Sequence, residues 1–260
     1  MKQIIIFLVP LFFTSCDVVG NMGTTGLILL FVILILLFAA MFFYVAKKRK
    51  QADQTVIKFS NDVKQMLDKL NDPNDKIHAL EQLVERINND EQYKKNTSWR
   101  DSVLSKVYQH QALVYYKLGD TDKIIESCSH IIQCEPSHMM SYYNRGSLYG
   151  NRGEYDKAIK DLSDAILLDP AYASAYNNRG LAYEKTGDYS KAIADFSHAI
   201  ELDPTPVSYF NRANSYVEIQ EFDQAKEDYS RAIELDPLDE SQIRNNIDMA
   251  MEYINGRVSQ

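Results

Sequence analysis

Three stretches of this chain say nearly the same thing. Aligned on their ends they read MMSYYNRGSLYGNRGEYDKAIKDLSDAILLDP, AYASAYNNRGLAYEKTGDYSKAIADFSHAIELDP and TPVSYFNRANSYVEIQEFDQAKEDYSRAIELDP, and their closing prolines Pro170, Pro204 and Pro237 lie 34 and 33 residues apart. A weaker copy runs from about Ser105 to Pro136, 34 residues before Pro170. A fixed period of this length means stacked supersecondary units, each too small to bury its own apolar face.

Within one copy there are two apolar stripes at helical spacing. Tyr142, Gly146 and Tyr149 fall at i, i+4 and i+7, and Ala158, Leu162 and Ala165 repeat that spacing. Between the stripes stand Gly153-Glu154-Tyr155 and, one copy later, Gly187-Asp188-Tyr189. Such a glycine supplies the left-handed turn that ends a helix, and the acidic residue starts the next. The closing Asp-Pro ends the second helix, because the residue before proline is pushed out of the α region. Small residues recur where helices must approach closely: Gly146, Gly180 and Ala213 in the first helices, Ala158, Ala192 and Ala225 in the second.

This order of aromatic, Gly/Ala, aromatic, Gly-x-aromatic, Ala, aromatic/Leu, Ala and Pro resembles the tetratricopeptide repeat. The resemblance covers about residues 105–239 as four repeats, the first degenerate. It implies an all-α fold, a right-handed superhelix of helix-turn-helix repeats, and a protein-binding scaffold whose first helices line a concave groove. The groove candidates are Lys106, Gln109, Leu113, Tyr143, Asn144, Ser147, Asn177, Asn178, Leu181, Phe210, Asn211 and Asn214. Asn144, Asn178 and Asn211 recur at the repeat period. An amide both donates and accepts, so this ladder suits either the backbone of an extended peptide or hydrogen bonds within the repeat.

Chaperone-binding members of the family grip a terminal carboxylate with a Lys and two Asn in the first two repeats and basic residues in the third. Here Gln109 and Leu113 stand where the first Lys and Asn would be, and Ser174 and Asn178 replace the basic residues. A register starting one repeat later meets Tyr143 and Ser147, so no such clamp is expected.

Charges recur as well. Arg145, Arg179 and Arg212 are each followed sixteen residues later by Asp161, Asp195 and Asp228, whereas the weak copy has Gln111 and Ser127 at both places. Joint loss points to an Arg–Asp pair across the two helices of each strong repeat, since one partner alone would strand a partly buried charge.

Ahead of the repeats the composition changes. No charged residue occurs from Val18 to Ala46, and Leu27 to Ala46 is apolar throughout, about 30 Å as a helix. A transmembrane helix is expected over residues 24–46. Lys47-Lys48-Arg49-Lys50 then places the following domain in the cytoplasm by the positive-inside rule. The first apolar run, Ile4 to Phe13, fits a secretory signal. Its ending in Thr14-Ser15-Cys16 resembles the lipobox of bacterial lipoproteins, which makes Cys16 the lipidation candidate of a signal-like segment 1–16. The alternative is an uncleaved apolar segment.

Residues 1–50 hold five of the 28 basic and one of the 36 acidic residues, leaving 23 and 35 in residues 51–260, a net charge of −12. Such a domain repels phosphate backbones, so no nucleic-acid partner is expected. Cys128 and Cys134 lie six apart on one helix and do not face each other; they are expected as free, buried thiols.

Residues 51–104 are expected as amphipathic helices packing on the first repeat. Val56, Phe59, Val63, Met66 and Leu70 form one stripe, and Ile77, Leu80, Val84 and Ile87 a second beyond the Asn71–Asp75 break. A polar loop from Asn88 to Thr97 precedes a helix opened by Trp99. At the other end residues 240–260, through Ile243, Ile247, Ala250 and Ile254, are expected to cap the stack.

No nucleotide loop, zinc pattern or nucleophile–base pair is present, and the five histidines are scattered. The expectation is a non-catalytic chain without cofactor or metal, recruiting a peptide or protein partner at the membrane. The alternative is a lipoprotein-type envelope-assembly factor with the repeat domain exported.

Overall fold

A computed structural model describes residues 24–236 together with Glu252 and Gly256; for residues 24–37, Arg49 and Gln92 it describes the backbone alone. The signal-like segment with Cys16, and the expected capping helix at 240–260, lie outside the described residues. The chain divides into two compact units, Met1–Lys58 and Phe59–Gln260.

Eleven α-helices are described and no strand among the described residues: α1 (Thr24–Asp68), α2 (Pro73–Asn89), α3 (Glu91–Lys95), α4 (Thr97–Leu118), α5 (Thr121–Cys134), α6 (Met139–Asn151), α7 (Tyr155–Leu168), α8 (Ala173–Lys185), α9 (Tyr189–Leu202), α10 (Pro206–Glu218) and α11 (Phe222–Leu235). Helix α1 is continuous through Leu27–Ala46 and the Lys47–Lys50 run. Among the described residues no helix is long and apolar enough to cross a membrane, and most of Leu27–Ala46 falls where only the backbone is described.

Helices α4/α5, α6/α7, α8/α9 and α10/α11 form four antiparallel-type pairs that pack within each pair and onto the next. The turn inside each pair explains its sequence. Gly119, Gly153 and Gly187 sit at φ 71°, 77° and 80°, in the left-handed region that only glycine enters freely. The fourth turn places Gln220 at φ 65°, a non-glycine residue in the same conformation. Asp120 and Asp188 then accept from the backbone N–H of Lys123 and Lys191, capping the second helices. Glu154 and Glu221, one methylene longer, make no such bond. Asp169 and Asp203 end α7 and α9 in extended conformation before their prolines.

Close approach accounts for the small residues. A methyl placed on Gly180 would come 2.7 Å from Cε1 of Phe196, and one on Gly146 would come 2.9 Å from Cγ of Leu162. Ala158, Ala192, Ala213 and Ala225 are fully buried between the helices. Larger buried side chains, Leu162, Phe196 and Tyr229, fill the same place in successive repeats.

The connecting region differs from the sequence expectation in two places. Leu67 is buried and Met66 is exposed, so the inward stripe runs Val63–Leu67 in steps of four. A straight α-helix with one buried face keeps the 3.6-residue period, while the 3-4-3-4 spacing belongs to a supercoiled seam. The polar 88–97 stretch contains the short helix α3, and Tyr93 stacks on Trp99 at 4.6 Å. Leu80 and Ile87 of α2 are buried, and α2 packs on α4 as a second helix packs on the next repeat.

Candidate functional site

An Arg–Asp pair bridges the two helices of each strong repeat. Arg145 Nε and Nη2 donate to Asp161 Oδ2 and Oδ1 at 2.7 and 2.8 Å. Arg179 and Arg212 hold Asp195 and Asp228 with four bonds of 2.7 Å. The three aspartates are 3%, 4% and 4% exposed, so their desolvation is offset by a planar two-point grip. Burial would lower a guanidinium pKa, but the hydrogen bonds it donates to its aspartate outweigh that and all three are raised.

Each guanidinium has a second partner, a third acceptor oxygen, that the sequence reading missed. Nη1 of Arg145, Arg179 and Arg212 donates to Oγ of Ser129, Ser163 and Ser197, at 2.9 Å in every case, on the second helix of the preceding repeat. One arginine therefore ties its own two helices together and fastens them to the previous pair. The signal was present: these serines recur at the repeat period and lie two residues after Ser127, Asp161 and Asp195.

The first helices α4, α6, α8 and α10 carry the groove candidates. Between α6, α7 and α8 lies a cavity of about 260 Å³ lined by Ser147, Asn178, Leu181, Leu162, Tyr155 and Lys185 among others. The asparagine ladder is mostly engaged inside the stack. Asn178 Nδ2 donates to Ser147 Oγ at 2.9 Å and Tyr143 Oη at 3.3 Å, both in the preceding repeat. Asn211, 8% exposed, donates to Asn177 Oδ1 at 3.2 Å, again one repeat back. Asn144 alone of the three is exposed. The pattern is neither a free ladder nor a set of bonds within one repeat; it is a seam between neighbouring first helices.

The other candidates separate in the same way. Asn214 Oδ1 accepts from Tyr229 Oη at 2.7 Å, and burial pushes that phenol up to about 12. Phe210 packs against the Tyr229 ring at 5.8 Å. Gln109 donates to Ser105 Oγ and contacts His138 Nε2, both at 3.2 Å, and Lys106 reaches Gln109 at 3.4 Å. Leu113 is 54% exposed and borders a second cavity of about 190 Å³ with Leu67, His110 and Lys117. Of these candidates Asn144 and Leu113 are exposed, and the partly buried Ser147, Asn178 and Leu181 line the cavity between α6, α7 and α8.

Cys128 is buried and Cys134 is partly exposed, and both are free thiols. Burial pushes the Cys128 thiol up to about 11, far from a reactive thiolate. Among the described residues no group of three or more His, Cys, Asp or Glu is placed to hold a metal.

Comparison with known proteins agrees with this geometry. The tetratricopeptide repeat family model matches residues 173–206 and 206–238, a TPR repeat model matches 146–187, and another tetratricopeptide repeat model matches 127–160. No curated protein matches the sequence. Among solved structures, a MamA RS-1 ArsTM double mutant is 21% identical, covering 72% of this chain and 97% of its own, with a TM-score of 0.56. MamA 41-end from Desulfovibrio magneticus RS-1 is 22% identical, with the same coverages and a TM-score of 0.56. A further MamA crystal structure is 22% identical over 72% of this chain and 93% of its own, with a TM-score of 0.54. At these identities the likeness concerns the fold. The chain carries tetratricopeptide repeats over residues 127–238, continued toward the amino terminus by a divergent helix pair whose arginine and aspartate are both replaced.

Proposed function

We propose that this chain is a non-catalytic scaffold that recruits a peptide or protein partner at a membrane through the groove formed by the first helices of its repeats. The observation that carries this reading is the open cleft between α6 and α8, where Leu181 gives an apolar wall and Asn178, its amide nitrogen bonded to Ser147 and Tyr143, keeps its carbonyl oxygen as an acceptor. An extended peptide uses that combination, a wall for its side chains and an acceptor for its backbone N–H. The tetratricopeptide fold is typical of protein–protein interaction scaffolds, which supports the same class of function.

Membrane attachment is the second part of the proposal. The uncharged Leu27–Ala46 stretch and the adjoining Lys47–Lys50 support a single span with the repeats on the cytoplasmic side. Where side chains of this stretch are described, Phe38, Phe42 and Phe43 are 65–72% exposed, apolar surface that water disfavours and hydrocarbon accepts.

Site-specific photo-crosslinking in the membrane-bound full chain tests the groove. A photoreactive side chain at Leu181 or Asn144 is expected to trap the same partner, and one at the exposed Lys160 of α7 is not. An identical adduct from Lys160 would overturn the groove reading. A tag after Gln260 that stays protected from protease until the membrane is opened supports the cytoplasmic side; digestion in intact preparations favours the exported, lipoprotein-type alternative.

A further inference from the structure

The first helix pair keeps the surroundings of a buried arginine without the arginine. In the later repeats Arg179 lies 5.7 and 6.0 Å from the rings of Tyr176 and Tyr183, and Arg212 lies 5.7 and 5.9 Å from those of Tyr209 and Tyr216. Tyr108 and Tyr115 stand at the same spacing around Gln111. The aspartate is replaced by Ser127, whose hydroxyl donates to the Lys123 carbonyl at 2.8 Å.

Shortening both side chains leaves space. A cavity of about 430 Å³ lies between α2 and the α4/α5 pair, lined by Tyr108, Gln111, Tyr115 and Ser127 together with residues of α2. Gln111 is only 7% exposed, lines this cavity, and has no hydrogen-bond partner among the described residues. Its amide faces the open cavity, so its carbonyl oxygen is available to accept from a donor entering the space. Three carboxylates line the cavity, Glu81 and Glu85 from α2 and Glu126 from α5. Lys123 is the one ammonium in the lining and is paired with Glu126 at 2.7 Å. His130 stacks on Tyr108 at 4.6 Å and holds the ring in place. The lining is therefore net negative and aromatic on two sides.

We propose that this cavity binds a guanidinium group, the arginine side chain of a partner peptide. The arginine would sit where Arg145, Arg179 and Arg212 sit in the following repeats. Aromatic faces favour a planar, weakly hydrated cation. The carbonyl of Gln111 and the carboxylates of Glu81 and Glu85 supply acceptors for its five N–H donors. This site is on the amino-terminal side of the stack and does not depend on the groove between α6 and α8.

The test is saturation-transfer NMR on the full chain in detergent micelles, with N-acetyl-arginine methylamide as probe and the citrulline analogue as its neutral isostere. Saturable binding of the arginine probe is expected, at least about tenfold weaker for citrulline. Gln111→Arg with Ser127→Asp rebuilds the pair that the neighbouring repeats carry, fills the cavity from within, and is expected to abolish binding while raising the melting temperature. Glu81→Gln with Glu85→Gln alters only exposed α2 positions and is expected to weaken binding about tenfold. Unchanged binding in either variant, or equal binding of citrulline, would overturn the assignment; so would the absence of saturable binding by the parent chain.

Discussion

Replace Arg179 by Gln, Asp195 by Ser, and then both together. The choice copies the first helix pair, where Gln111 and Ser127 occupy these places. In the parent, Asp195 accepts two bonds of 2.7 Å from Arg179, and its side chain is 6% exposed. Arg179→Gln leaves that carboxylate without its charge partner, which costs about 3–5 kcal/mol. Asp195→Ser leaves a guanidinium that is 18% exposed and still bound to Ser163 at 2.9 Å, so its cost is smaller, about 2 kcal/mol. In the double variant nothing charged remains buried there, and a serine in α9 can donate to the carbonyl four residues back, as Ser127 does. Its cost should be about 2–3 kcal/mol, mainly lost packing and the lost Ser163 bond. The coupling energy is then about 3 kcal/mol and little affected by salt, since the pair is screened poorly at such burial. Urea denaturation of the 59–260 unit, followed by helical circular dichroism, measures the cycle. Additivity within about 0.5 kcal/mol would refute a coupled buried pair and leave the two residues as independent surface charges.

Gln220→Gly should stabilise the fourth repeat by about 1 kcal/mol, because Gln220 holds φ 65° where the equivalent turns use glycine; a melting temperature unchanged or lowered would contradict this. Gly180→Ala should destabilise by about 1–3 kcal/mol, since its methyl meets the fully buried Phe196 ring at 2.7 Å; wild-type stability would mean that the ring can withdraw. Burial pushes the imidazoles of His110 and His138 below their ordinary 6.5. With folded values below unfolded ones, the stability they contribute is present above pH 6.5 and lost as pH falls through the folded values. The urea midpoint should therefore drop between neutral pH and mild acid, and His110→Gln with His138→Gln should flatten that dependence; an unchanged slope in the double variant would assign it to other groups.

How far the chain could be read before its structure differs from element to element. The helix pairs, their turns and their Arg–Asp bridges are legible because a repeat compares the chain with itself. Gly153 and Gly187, Gly146 and Gly180, and the paired loss at Gln111 and Ser127 each report a local constraint that any copy must meet. The amphipathic helices before the repeats have no second copy. There the choice between Met66 and Leu67 as the inward residue rests on one turn of helix, and the surface it packs against decided it.

Periodicity by itself determined which residues occupy equivalent places: the buried small residues, the bridging charges and the asparagines at every 33 or 34 residues. It could not say what those places face. Asn178 and Asn211 turn to the preceding repeat, while Asn144 meets solvent, because a side chain's partner across a stack depends on the neighbour's identity. Ser147 and Asn177 are partners of different length in the same seam. Likewise only the packing of α2 on α4 turned two substitutions in a degenerate repeat into a cavity with an unpaired amide at its wall. Local constraints repeat with the sequence; contacts between repeats are settled where two different surfaces meet.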